Sequence, residues 1–248
     1  MFDPVVAVIV GAGLGLRFGG RTPKPALRLS GKAVLAMSVE AMAAAGCTHA
    51  VVVLNPKVAE KLGASLSASP IPVHQTLGGN SRQESVFNGL RVVHDHPTLS
   101  KAEVVLIHDA VRPMVPAHVA ESVITAVREG ADAVAPAVSV SDSMRVMDED
   151  GTTRVIDRST LRAIQTPQGF RLPVIWESHQ QMASKPAEFT DDVSCAERAG
   201  YPVTLVPGSR LSMKITEPPD MPVARALWRA RSAFGHHSGR RFRRLLRL

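Results

Sequence analysis

The stretch GAGLGLRFGGRTPKP, Gly11 to Pro25, packs five glycines, two arginines and a lysine into one turn behind an apolar run. Glycines leave backbone N–H groups bare, so such a loop lets amides approach phosphate oxygens while Arg17 and Lys24 project cations over the same spot. The spacing excludes two familiar phosphate cradles. A dinucleotide fingerprint needs G-x-G-x-x-G, but the sixth residue counted from Gly11 is Leu16, and from Gly13 it is Phe18. Gly15 to Thr22 reads G-x-x-x-x-G-R-T, near a P-loop, yet Pro23 and Pro25 stand where that loop must open into a helix. The same residues also suit a glycine-rich surface turn with solvated cations.

The elements that would position this loop follow from hydrophobic pattern. Apolar, β-branched runs recur at VVAVIV, AVVVLN, EVVLIHDA and ADAVAPAV, with helix-like segments between them. That alternation predicts an α/β fold, a Rossmann-like, mostly parallel sheet flanked by helices. Asn55-Pro56 and Ser81-x-x-Glu84 read as helix starts, Gly130 as a helix stop, and VARALWRARSAF as a last helix. Alternation around Asp150-Gly151 predicts a projecting hairpin arm over about Val138 to Asp157. In open α/β sheets ligands lie at the carboxyl ends of the strands, where the glycine stretch, HDAVRP and SMKIT would meet in one cleft.

Composition narrows the partners. Seven of the 29 basic residues lie from Arg229 onward without an acid, so 22 basic residues face 22 acidic ones in the rest of the chain. A neutral body argues against a nucleic-acid partner, and RRFRRLLRL reads as a flexible basic tail, 229–248, appended to a domain of residues 1–228. Two separated cysteines, Cys47 and Cys195, support neither a disulfide framework nor a zinc site, which points to the cytoplasm. The N-terminal apolar run, Val5 to Leu16, is shorter than the roughly 18 residues of a membrane span. His94-x-His96 and His236-His237 lack a nearby carboxylate set and read as surface residues.

GAGLGLRF…TPK resembles the G-x-G-x-R…P-K signature of sugar-phosphate nucleotidyltransferases. The ordered motifs GGNSRQESVFNGL, HDAVRP, VIDRSTL, QTPQGF, TDDVS and MKIT sharpen the resemblance to the 2-C-methyl-D-erythritol 4-phosphate cytidylyltransferase family, from Val5 to about Arg229. The resemblance implies a nucleotidyltransferase fold and attack by a polyol phosphate oxygen on the α-phosphorus of CTP, with pyrophosphate leaving. That nucleophile is ionised at neutral pH, so placement and charge stabilisation suffice without a general base.

By the same resemblance Arg17, Lys24, Arg158 and Lys214 carry catalysis, and Mg2+ rides mainly on the nucleotide phosphates. Gly11, Ala12, Gly13, Leu14, Gly15, Gly79, Asn80, Ser85 and Ala110 would hold the nucleotide. Asp109, Arg112, Ser143, Thr166 and Thr190 would hold the polyol phosphate. Asp109 with Arg112 also reads as an ion pair at a strand end, and Thr190 as a helix N-cap. The family's arm implies a homodimer with shared active sites. Asn80 stands where many relatives carry aspartate, and Ser143 replaces threonine. Two other functions fit the residues: a ribitol-5-phosphate cytidylyltransferase, and a catalytically silent α/β scaffold whose basic tail binds RNA or an anionic membrane.

Overall fold

We describe residues 3–13, 23–183 and 189–235 of a computed structural model of the chain. The β-branched run Val5–Gly11 forms strand β1, buried along nearly all its length. It pairs in parallel with β4 (His49–Leu54) on one side and β6 (Val104–Asp109) on the other, and β5 (Val73–Leu77) extends the set beyond β4. Between these strands lie β2 (Arg28–Leu29) and β3 (Lys32–Ala33), a short ribbon leading into helix α1 (Val34–Ala44).

Side chains alternate across a strand, and the core divides accordingly. Val5, Ala7 and Ile9 of β1 pack with α1, α2 (Pro56–Ser67) and α4 (Ala117–Arg128) on one face. Val6 and Val8 pack on the other with α3 (Arg82–Asp95), α5 (Leu172–Ala183) and α6 (Asp192–Arg198). Each such valine or isoleucine side chain taken from water contributes about 1.5–3 kcal/mol. Gly89 brings α3 unusually near: a Cβ there would meet Val8 at 2.5 Å and Val53 at 2.8 Å. That close approach carries the N-terminus of α3 to the strand ends.

The expected helix signals act as read. Asn55 Oδ1 accepts from Lys57 N, with Pro56 at the first helical position, and Ser81 Oγ accepts from Glu84 N. Helix α4 ends ahead of Gly130, whose φ is +108°.

The far side of the sheet is mixed rather than wholly parallel. Strand β11 (Gln168–Arg171) runs antiparallel between β6 and β7 (Ala133–Ser139), and β10 (Arg162–Ile164) pairs antiparallel along the same edge of β7. Strand β12 (Val203–Pro207) adds in parallel on the opposite edge of β7, completing eight strands among the described residues. Strands of three and four residues carrying arginine or glutamine leave no apolar run to read, so QTPQGF shows no strand in its pattern.

The arm is a separate hairpin of β8 (Met144–Met147) and β9 (Thr153–Ile156), turning at Gly151 as expected. It begins later than the pattern indicates, because Val138 and Ser139 complete β7. Helix α7 (Asp220–Gly235) packs Met221 and Ala224 over Leu29, Val34 and Ile215. It runs through the boundary set after residue 228, and residues 236–248 lie outside the described part.

Candidate active site

Because β1, β4, β5 and β6 run parallel, Gly11, Leu54, Leu77 and Asp109 end on one edge of the sheet. Two loops touch there. Gly78 N donates to Leu54 O at 3.0 Å, and a Cβ on Gly78 would fall 2.2 Å from the Cβ of Ala12, so only glycine allows this approach. Glu84 of the capping pair reaches back to Asn80 N at 2.7 Å. Ser85 Oγ accepts from Gly79 N at 3.1 Å and donates to Ser81 O at 2.8 Å. Its one proton is therefore used within the loop, and Ser85 shapes the Gly79–Asn80 turn. Ala110 is buried, its N–H on Val10 O and its carbonyl on Ser38 Oγ, while Gly13 is exposed.

At the end of β6 Asp109 is surrounded by cations. Lys214 Nζ lies 2.8 Å from Oδ2, Arg112 Nε lies 3.6 Å from Oδ2, and Arg82 Nη2 lies 3.7 Å from Oδ1. Burial alone would raise the carboxyl pKa, but Lys214 and then Arg82 hold it far below the usual carboxylate range. Arg112 Nη1 also donates to Ser212 O at 2.7 Å, which ties HDAVRP to the segment before MKIT. The ion-pair reading of Asp109 and Arg112 thus stands as geometry, enlarged by Lys214.

The glycine stretch reaches the same segment. Lys24 Nζ donates to Thr216 O, and Thr216 is held by Asp220, whose Oδ2 accepts from Thr216 N, Thr216 Oγ1 and Glu217 N. Lys24 and Lys214 therefore belong to one edge, brought together by residues 214–220.

Thr166 is engaged within the protein. It is buried, and its Oγ1 accepts from Asp109 N and lies 3.1 Å from His108 Nδ1. His108 Nε2 faces Arg112 O at 3.2 Å, which fixes the proton on Nε2 and leaves Nδ1 to accept from Thr166. The hydroxyl proton is thereby directed at His108, and Thr166 orients the Asp109 turn.

Burial pushes His108 down to about 4, so the fold holds it neutral. Below about pH 6.5 the unfolded chain binds a proton there that the folded chain refuses, and stability is lost as pH falls from 6.5 through 4. The full loss is about 3 kcal/mol. Chemical unfolding of the protein and of His108→Gln from pH 7.5 to 4 should show the wild type losing this extra increment. Parallel pH profiles would contradict it.

The remaining expectations divide. Arg158 and Ser143 sit at the base of the arm, exposed, with Arg158 donating to Ser141 O of the same arm. Thr190 is exposed and is not the cap of α6; Asp191 is, its carboxylate accepting from Ser194 N at 3.0 Å. Arg17, Leu14 and Gly15 lie outside the described residues. His94 stacks on Trp176 at 4.1 Å, and His96 meets His74 edge-on at 4.8 Å.

Sequence reasoning missed Arg82, Asp192, Gln168 and His179, which stand behind Asp109. One signal was present: an arginine opening a helix opposes the helix dipole and calls for acidic partners. Among the described residues no group of three His, Cys, Asp or Glu side chains is arranged to hold a metal ion, and no helix is long and apolar enough to cross a membrane.

The chain resembles known proteins along most of its length. The family pattern described as 2-C-methyl-D-erythritol 4-phosphate cytidylyltransferase matches residues 5–230. A protein of that name from Roseobacter denitrificans is 40% identical over 233 residues, spanning 94% of this chain and 99% of its own. One from Frankia casuarinae is 37% identical over 224 residues, spanning 90% and 80%. Among solved structures, 4-diphosphocytidyl-2C-methyl-D-erythritol synthase of Anaerococcus prevotii superposes with a TM-score of 0.80 at 25% identity, covering 92% of this chain and 96% of that one. The Thermus thermophilus cytidylyltransferase gives 0.72 at 30% identity, covering 91% and 99%. The chain, in which Lys24, Asp109 and Lys214 lie at one sheet edge, belongs to the 2-C-methyl-D-erythritol 4-phosphate cytidylyltransferase family.

Proposed function

We propose that the protein joins CTP and 2-C-methyl-D-erythritol 4-phosphate, releasing pyrophosphate and CDP-methylerythritol. The observation that carries this is the meeting of Lys24, Lys214 and Asp109 at the carboxyl edge of the sheet, in a chain of this family. A phosphate oxygen of the polyol phosphate forms the new bond to the α-phosphorus, and the bond to the bridging oxygen of pyrophosphate breaks. The nucleophile arrives ionised, so no side chain needs to take a proton. Lys24 meets charge developing on the triphosphate, Lys214 steers the incoming phosphate, and Asp109, fixed by its cations, receives polyol hydroxyls.

Magnesium, when bound, neutralises charge on the triphosphate. With Lys214 and Arg112 near Oδ2 and Arg82 near Oδ1, Asp109 has little to offer a cation, so phosphate oxygens and water would supply most of the ligands. The arm favours a homodimer, because Met147 and Val155 are 75% and 69% exposed on a hairpin too small to be stable alone. Covered by a second subunit, it would deliver Ser143 and Arg158 to the neighbour's cleft. Burial pushes both thiols up to about 12, which suits a reducing cytoplasm equally with any other setting where they stay inert.

The test is pyrophosphate release over a grid of nucleoside triphosphates against polyol phosphates. CTP with methylerythritol phosphate should give the highest kcat/KM. A preference for ribitol phosphate or for another nucleotide would overturn the assignment, and no release with any pair would favour the silent scaffold.

A further inference from the structure

Behind Asp109 runs a line of charged groups that the proposed chemistry does not use. Arg82, the first residue of α3, donates from Nη2 to Asp192 Oδ2 at 2.6 Å and stands 3.7 Å from Asp109 Oδ1. Asp192 is 2% exposed and held on every side. Its backbone N–H and that of Val193 donate to Gln168 Oε1 at 2.9 and 3.0 Å, and Gln168 Nε2 donates to Asp191 Oδ2 at 3.1 Å. Asp192 Oδ1 faces Nε2 of buried His179 at 3.4 Å, and that ring lies nearly parallel to Phe87 of α3. Arg82 of α3 and His179 of α5 thus flank the Asp192 carboxylate while Gln168 of β11 holds its backbone, and Arg82 is the arm by which it reaches the strand ends.

We propose that Arg82 is a positioning residue: anchored on Asp192, it holds Oδ1 of Asp109 so that the carboxylate keeps the rotation that places Oδ2 on Lys214. The proposal rests on the assignment of Asp109 to the polyol phosphate. Two observations direct the effect through Asp109 and not onto the nucleotide. The Arg82 charge is matched by two carboxylates, and its shorter, better bond points away from the cleft to Asp192. Asp109 shares its other oxygen with two cations, so without Arg82 the carboxylate would swing toward Lys214 and Arg112.

Arg82→Gln, Arg82→Lys, Asp192→Asn and the double variant Arg82→Gln/Asp192→Asn would be compared with wild type by steady-state pyrophosphate release, varying each substrate in turn. Thermal unfolding and calorimetric binding of the polyol phosphate accompany the kinetics. Arg82→Gln and Asp192→Asn should each raise KM for the polyol phosphate about tenfold and leave KM for CTP within about twofold. The double variant should be no worse than the poorer single one, since both cut the same connection. Arg82→Lys should recover part of the loss, as an ammonium keeps a charge on Oδ1. A raised KM for CTP, additive losses, or destabilised variants with wild-type constants would overturn the proposal. If Asp192→Asn does not fold, Arg82→Gln and Arg82→Lys decide it through the same two constants. A wild type that prefers a different polyol phosphate would count against the function assigned above, while the coupling is still read with that substrate and with its calorimetric affinity.

Discussion

Replacing Lys24 by alanine is expected to lower kcat by about a hundred- to thousandfold with little change in either KM. The ammonium is fixed before substrate arrives, donating to Thr216 O on a turn that Asp220 holds with three hydrogen bonds. A cation placed in advance does not have to reorganise as negative charge moves onto the departing pyrophosphate. Removing one such preorganised contact typically costs about 2.7–4 kcal/mol of transition-state stabilisation. The fold should hardly notice, because Asp220 keeps its partners at Thr216 and Glu217 when Lys24 is gone. Single-turnover rates and thermal unfolding of Lys24→Ala separate the two effects. A folded variant with near-normal turnover, or one whose loss lies wholly in KM for CTP, would show that this loop only binds.

Mixing two inactive variants should restore activity. If the arm completes the neighbour's cleft, Lys24→Ala and Arg158→Ala place their lesions in the body of one chain and the arm of another. A mixed dimer then has one site with both lesions and one with neither. Co-refolding equal amounts makes about half the dimers mixed, so activity should return to about a quarter of wild type. In that arrangement the neighbour would cover Met147 and Val155, the exposed apolar side chains of β8 and β9. Confirmed mixed dimers without recovery would place the whole cleft within one chain.

The strands that position the site were legible because both their faces are buried: β1, β4 and β6 read as continuous apolar runs. Strand β12 was not legible, since VTLVP lies at an edge with Leu205 48% exposed, and β10 and β11 are too short to show a period. In the site, sequence pointed to cations in separate loops, and the resemblance attached roles to them. The bond from Arg82 to Asp192 joins residues 110 positions apart, and no spacing rule spans that distance. The internal partners of Thr166 were hidden for a related reason. A threonine in a motif reads as a donor, but its proton goes to a neutral histidine whose tautomer is set by the Arg112 carbonyl. At TDD, three adjacent residues are all good caps, so the pattern could not choose among them, and Asp191 is the one that caps α6.

The central claim is that a polyol phosphate oxygen attacks the α-phosphorus of CTP at this sheet edge. It is tested most directly by running the reaction with methylerythritol phosphate whose phosphate oxygens are labelled with oxygen-18, followed by 31P NMR and mass spectrometry. All the label should appear in CDP-methylerythritol, one labelled oxygen bridging the two phosphorus atoms, and the pyrophosphate should carry none. Labelled pyrophosphate, or pyrophosphate formed without a cytidine diphosphate ester, would contradict the account.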